Sequence, residues 1–533
     1  MSTETASVQH REAPRSSAPA PLTWWAGIAS IALGVGAGEL TAALVAPESS
    51  PFAVIGDALV DAAPTWAKDT AIALFGTADK IALFVGIAIV ALVLAALAGW
   101  LESRRSPWGM AIIAAFGVSG VLAAITRADA GPLAWIPSVV AAIAAGVMLG
   151  VLSRMLRPRA AAAAASESPT QSEDAPGTAD RRTFFLWAGG ATAAGIVATI
   201  AGSTVHATTR ATSSIRQALT LPAAARAVAA PPASAELGIS GLAPVVTPTS
   251  QFYRIDTALI VPDLAPADWS LRIYGMVEQE VTITWDELLA LPLEESYTTL
   301  SCVSNPVGGD LIGNAKWLGY PIRELLARAK PTADADMVLS RSIDGFTAST
   351  PLEVLTDDRN SILAVGMNDE PLPAEHGFPV RMVVPGLYGY VSATKWVTEL
   401  KVTRFDQDRA YWSDRGWSER GPIKLQSRID VPRRNQGLSA GETVIAGVAW
   451  HPHVGVSKVE VQIDGGAWRE ASLATAISDD TWVQWSIPWT AEPGDHAIRC
   501  RATNALGETQ TEVDAFPAPD GATGWQQLNI SVG

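Results

Sequence analysis

Five apolar segments, at about 23–46, 80–101, 107–126, 132–152 and 183–202, constrain this chain more than any other feature of it. Each is close to the roughly 20 residues that an α-helix needs to cross about 30 Å of hydrocarbon, where backbone polar groups must be satisfied within the segment. The first two hundred residues are therefore expected to form a helical membrane region of five spans. Arg104 and Arg105 separate the second and third segments; Arg154, Arg157, Arg159, Arg181 and Arg182 separate the fourth and fifth. The opposite loops carry Asp57, Asp61, Asp69 and Asp79 on one side, and only Arg127 with Asp129 on the other. Positive-inside asymmetry then places the N-terminus in the cytoplasm and everything after the fifth span outside it, in a multi-pass protein of the cell membrane.

The stretches around the spans have their own composition. Residues 1–21 are polar and rich in Pro and Ser, and are expected to be disordered; 22–156 would hold four spans. Pro51 to Val60 is too short to cross and reads as an interfacial or re-entrant helix. Glu39 lies inside the first span, where a carboxylate is costly: it is either a proton or quinone site, or a helix-end carboxylate near the outer interface. Residues 157–182 form an Ala/Ser/Pro/Asp linker, ending in Asp180-Arg181-Arg182-Thr183-Phe184-Phe185-Leu186. That run resembles a twin-arginine export signal, and it equally satisfies positive-inside; both readings stand. After the fifth span at 183–202, residues 203–240 are Ala/Ser/Thr/Pro-rich and read as a tether.

Charge and cysteine usage exclude several classes. A net charge of −15 over 533 residues argues against a nucleic-acid partner, because phosphate binding needs a basic surface. There are two cysteines, Cys302 and Cys500, with no CxxC or CxxH neighbour, which excludes a zinc ribbon and an iron–sulfur cluster held by this chain. Two readings of the pair are open. Cys302 bonds to Cys500 in an oxidising compartment, or Cys500, alternating with Arg499 and Arg501, points into a core and leaves Cys302 free.

Beyond 240 the texture is that of folded domains. From 241 to 423 short strands alternate with short helices, including Trp269–Val277 as strand and turn and a capped helix start at Thr284-Trp285-Asp286-Glu287. This is α+β, without the βαβ rhythm or GxGxxG of a nucleotide-binding sheet. From 424 to 533 alternating strands such as Val444–Trp450, Val456–Ile463 and His496–Thr503 follow one another, with Asp464-Gly465-Gly466 as a hairpin turn: an antiparallel sandwich.

The chemistry gathers in two blocks. Thr299-Leu300-Ser301-Cys302-Val303-Ser304-Asn305-Pro306 sets one cysteine at the end of a β-type run and before a Gly/Asn/Pro turn, so its sulfur should sit at a strand end beside a cleft. A thiolate is a soft donor that suits redox-active metals. The second block, Glu375-His376-Gly377-Phe378-Pro379-Val380-Arg381, is followed by Ser392-Ala393-Thr394-Lys395-Trp396. It offers a forked Arg donor and a Lys point charge for a phosphate, with an imidazole beside them.

Together these blocks resemble the molybdopterin domain of the sulfite oxidase family, strongly over about 250–420, and the sandwich resembles that family's immunoglobulin-like dimerisation domain. The resemblance implies that Cys302 binds molybdenum and that His376, Arg381, Thr394 and Lys395 contact a pterin and its phosphate. It extends to Phe252, Tyr253, Arg254 and Asp256, where Ile255-Asp256 replaces the usual Asn-His, and to Asp344 in Ile343-Asp344-Gly345-Phe346. Arg254 would lie near the metal and bind an anionic substrate, or be an ordinary surface or phosphate-binding arginine.

Departures leave the substrate open. Asn305 precedes Pro306-Val307 where the family has Arg-Arg, and Trp412-Ser413-Asp414-Arg415-Gly416-Trp417 lacks the family's tyrosine. No haem is expected: no His-Pro-Gly-Gly occurs, and none of the six histidines lies in a span. The expectation is a membrane-anchored, extracytoplasmic molybdenum oxidoreductase acting by oxygen-atom transfer on a small oxyanion or oxide, in contact with membrane lipid. It would be a homodimer served by a separate electron-transfer partner or a quinone. Reduction of an S- or N-oxide is the alternative within the class, and a non-enzymatic surface receptor the alternative outside it.

Overall fold

The computed structural model describes residues 20–64, 67, 70, 79–128, 130–156, 177–208, 211–433 and 437–533. The expected disordered stretch over 1–19 and the linker over 157–176 lie outside the described residues. The chain divides into two compact units, Met1–Thr209 and Arg210–Gly533.

The first unit is helical: α1 (Ala20–Val45), α2 (Pro51–Ala62), α3 (Asp79–Arg104), α4 (Trp108–Ile125), α5 (Ile136–Leu156) and α6 (Gly177–Thr208). All but α2 are long and apolar enough to cross a membrane. Apolar side chains such as Val85, Ile89, Val93 and Val197 stay exposed, as suits contact with hydrocarbon. The helix α1 packs on α3, α5 and α6. Gly36 meets Gly195 of α6, and Gly27 meets Gly99 of α3, so closely that a Cβ would strike the facing backbone. Small residues allow such approach where water provides no hydrophobic drive between helices.

Two acidic side chains cap helices here. Glu39 Oε1 accepts from Ser50 Oγ at 2.8 Å and from Phe52 N at 3.1 Å, at the start of α2. Glu102, 4 % exposed, accepts from Ser106 Oγ and Met110 N at the start of α4. Orphan N–H groups at helix starts are good partners for a carboxylate. Of the two readings of Glu39, the helix-end carboxylate is the one these bonds support.

The stretch expected as a tether is built differently where it is described. After the helix Ala211–Ala218, Leu219 and Leu221 pack on the domain core. Ala225 N donates to Leu293 O at 2.7 Å, and Glu295 N to Arg226 O at 2.9 Å. Leu237 N donates to Gln484 Oε1. Composition misleads here because an Ala/Pro-rich strap is held through its backbone, which pairs whatever its side chains.

Two sheets form the N-terminal part of the second unit. One runs Val281–Thr284, Ser270–Gly275, Val397–Thr403, Met337–Ser342, Thr347–Pro351, with the pair Ser270–Gly275 and Val397–Thr403 parallel. The other runs Glu294–Ser301, Ile312–Pro321, Ile362–Met367, Glu370–Pro371, with Arg381–Val383 also on Ile362–Met367. Leu271, Leu288, Leu326, Leu363 and Leu400 are fully buried among them. The helix Trp285–Leu289 starts at a reciprocal Thr284/Glu287 capping box, as its sequence leads one to expect.

The C-terminal region is β-rich: two four-stranded antiparallel sheets close on Ile445, Trp485, Val459, Ile498 and Cys500. Asp464 and Gly465 turn its hairpin with positive φ. It is stitched to the strand that precedes Cys302: Thr299 N donates to Asp480 O at 3.0 Å, and Trp482 N to Thr299 Oγ1 at 2.9 Å.

Candidate functional site

Cys302 follows directly on the strand Glu294–Ser301 and is buried. Its N–H donates to Leu311 O at 2.9 Å, and Asn305 Oδ1 accepts from Leu311 N, so the loop is closed by its own polar groups. Gly308, at φ +75°, supplies the turn that a side chain would resist. Burial pushes the Cys302 thiol up, while Ser304, through its N–H and its hydroxyl, favours the thiolate. Cys302 and Cys500 are both free. Cys500 is fully buried in the sandwich with Ser427 Oγ donating to it at 3.3 Å, so the disulfide reading falls.

One aromatic residue packs against the second block. Phe252 lies edge-on to His376 (5.7 Å between ring centroids) and to Trp317 (5.8 Å), and is stacked on Tyr253. Gly313 makes room for it, since a Cβ there would sit 2.8 Å from the ring. Arg381 is 5 % exposed, and among the described residues its guanidinium donates to carbonyls alone: His376 O at 3.1 Å, Met382 O at 3.3 Å and Ala393 O at 3.5 Å. Lys395 Nζ reaches Asp256 Oδ2 at 2.7 Å and Glu375 O at 3.0 Å. Arg254 Nε also binds Asp256 Oδ2, at 3.0 Å, with its side chain 41 % exposed.

The electrostatics are those of cations held in a buried setting. Burial lowers Arg381 to about 10 and Lys395 to about 8. Burial, then Arg381 and Lys395, lower His376 to about 3, so its imidazole is neutral at physiological pH. Arg254 and Lys395 both pair with Asp256, whereas Arg381 has no carboxylate partner among the described residues. Such an excess inside a fold calls for a further anion.

Other expected residues sit close by in different roles. The Thr394 hydroxyl, fully buried, is 2.7 Å from Ser340 Oγ. Asp344 Oδ1 accepts from Phe346 N within its own turn, beside Trp396, whose carbonyl accepts from Ile343 N. Tyr388 is a residue the sequence reading passed over: burial, and secondarily the nearness of Cys302, push its phenol up to about 12. Tyr253 is raised by the same two causes. Phenols therefore do stand near the thiol, drawn from other stretches than Trp412–Trp417.

The residues present fit a molybdenum cofactor. Among the described residues no three His, Cys, Asp or Glu side chains converge on a point where they could hold a metal. One soft thiolate beside an anion-seeking pocket suits a metal that arrives with its own organic ligand and phosphate. A separate cleft of about 900 Å³ is walled by the outer face of the Cys302 loop (Gly308, Asp310) and by Arg428, Trp482, Trp525 and Gln526 of the sandwich side. None of Arg254, Arg381 and Lys395 lines it.

Comparison with known proteins agrees with this geometry. Residues 258–412 match the family described as oxidoreductase molybdopterin binding domain. YuiH, an oxidoreductase of Bacillus subtilis, is 31% identical over 153 residues, 29% of this chain and 74% of that protein. The chain belongs to the sulfite oxidase family of molybdopterin oxidoreductases. It is an enzyme of that family, and the receptor reading is set aside. Mitochondrial sulfite oxidase of Rattus norvegicus is 29% identical over 271 residues, 43% of this chain. The chain spans about half the length of the mitochondrial sulfite oxidases it matches, 49% for the rat protein. Among solved structures, the sulfane dehydrogenase SoxCD of Paracoccus pantotrophus aligns over 54% of this chain and 81% of its own, with TM-score 0.48 and 24% identity. A sulfite oxidase family member of this kind carries a molybdopterin-binding domain.

Proposed function

We propose that this protein is a membrane-anchored molybdenum oxidoreductase whose catalytic half lies outside the cytoplasm and transfers an oxygen atom between water and a small substrate. The observation that carries the reading is one buried thiol, Cys302, in the same domain as the buried cations Arg381 and Lys395. When bound, the cofactor supplies the two-electron exchange. Cys302 offers the metal its thiolate, with Ser304 hydrogen bonds favouring that charge. Arg381 and Lys395 neutralise the phosphate, neutral His376 offers a ring nitrogen to the pterin, and Phe252 with Tyr253 packs that side of the pocket. Thr394, Asp256 and, more distantly, Asp344 complete the pterin surround.

Sulfite oxidation is the first substrate reading. Reduction of an S- or N-oxide is favoured by one observation: Arg254, expected to face an anionic substrate, is half-exposed and tied to Asp256. Electrons would pass to or from a separate protein or a quinone, and the sandwich would pair two copies of the chain. Full-length protein in detergent should turn over sulfite with an artificial acceptor, or methionine sulfoxide with a reduced dye, and Cys302→Ser should abolish it. Turnover persisting in the serine variant would refute the thiolate role.

A further inference from the structure

Tyr388 and Tyr390 are buried phenols two residues apart, and they differ in one respect. Tyr390 donates its hydroxyl to Ser418 O at 2.8 Å. Tyr388 accepts from Lys424 N at 3.4 Å, and among the described residues no acceptor takes its own proton. The Tyr388 side chain is 4 % exposed, so water is a poor substitute. A buried donor with no acceptor is uncommon in a native fold, so this one invites a ligand.

The phenol is held in place from both domains and stands next to the metal-binding strand end. Tyr388 N donates to Gly421 O at 2.7 Å, and the neighbouring Gly389 faces Ser301, with a Cβ there 3.8 Å from the Ser301 carbonyl. Tyr388 shares a core cluster with Val303, the residue after Cys302. From the sandwich, Gly521 adopts φ +101° against the hydroxyl, where a Cβ would lie 2.5 Å from the oxygen. Lys424 Nζ fixes that loop through Asp520 Oδ1 at 2.9 Å and Gly521 O at 2.8 Å. The raised pKa keeps the proton on the oxygen across the physiological range, which makes this side chain a donor.

We propose that Tyr388 is a substrate-contacting residue that donates its hydroxyl hydrogen bond to the oxygen of a small oxide or oxyanion held beside Cys302. The proposal rests on the oxygen-transfer reading above. It also gives the sandwich a part in the site, since its 520–521 loop fixes the phenol.

The test compares full-length wild type, Tyr388→Phe and Tyr390→Phe. Metal content, melting temperature, and kcat and KM for sulfite and for methionine sulfoxide are measured. The ultraviolet tyrosine difference spectrum is recorded on adding sulfate or dimethyl sulfone, which do not react. Tyr388→Phe should keep its metal and melting temperature, lose kcat on the order of 10²-fold, as for one preorganised donor, and lose the difference spectrum. Tyr390→Phe should keep turnover and spectrum. A Tyr388→Phe protein within twofold of wild-type kcat, or with the spectrum intact, overturns the assignment. So does loss of its metal, which would make Tyr388 a packing residue. Wild type inactive on both probes would defeat the oxygen-transfer reading, while the difference spectrum still tests Tyr388.

Discussion

At the scale of single residues, burial, and after it the neighbouring Arg381 and Lys395, hold the His376 imidazole neutral. The unfolded chain takes up a proton on this imidazole near its ordinary 6.5, but the folded chain, with its value lowered to about 3, does not. Between those values the unfolded state binds more protons, so stability falls as pH drops through that window and is fully recovered above it. Denaturant melts of full-length protein produced without molybdenum should show a loss on the order of a few kcal/mol from pH 6.5 to 3 attributable to this group. His376→Gln should flatten that part of the curve, and an unchanged slope would contradict the buried neutral imidazole. That Cys302 stands at a strand end, and that His376, Arg381 and Lys395 are neighbours, was legible in the sequence because each lies in a short run with an unusual order of Gly, Pro and basic residues. The setting of Tyr388 was not, because Gly421, Lys424 and Gly521, which surround it, are brought to it by the fold from 33 to 133 positions away along the chain.

At the scale of elements, hydrophobic length identified the five long helices to within a few residues, since crossing hydrocarbon fixes a helix at about 20 residues. What that length does not encode is the fate of a carboxylate at a helix end. Glu39 spends its oxygen on Ser50 and Phe52 at the start of α2. Glu39→Gln should therefore lower the melting temperature in detergent yet leave turnover unchanged; a collapse of turnover at full stability would restore the proton or quinone reading. The strap over 219–240 was illegible for another reason. Its anchors, Ala225 on Leu293 and Leu237 on Gln484, are backbone groups, invisible to residue composition. The sandwich strands, by contrast, announced themselves through period-two alternation, as in Val456–Ile463.

At the scale of the whole molecule, the charge asymmetry of the interspan loops predicts that the second unit lies outside the cytoplasm. Protease added to intact cells should release a fragment of the catalytic half, and in sedimentation that half should behave as a dimer; protection from protease would overturn the orientation. The central claim concerns the metal, and elemental analysis of purified full-length protein tests it most directly. About one molybdenum per chain is expected in wild type and in Cys500→Ser, and less than about a tenth of that in Cys302→Ser. A serine variant with the wild-type molybdenum content, or a wild type that holds none when expressed with the cofactor available, would contradict it.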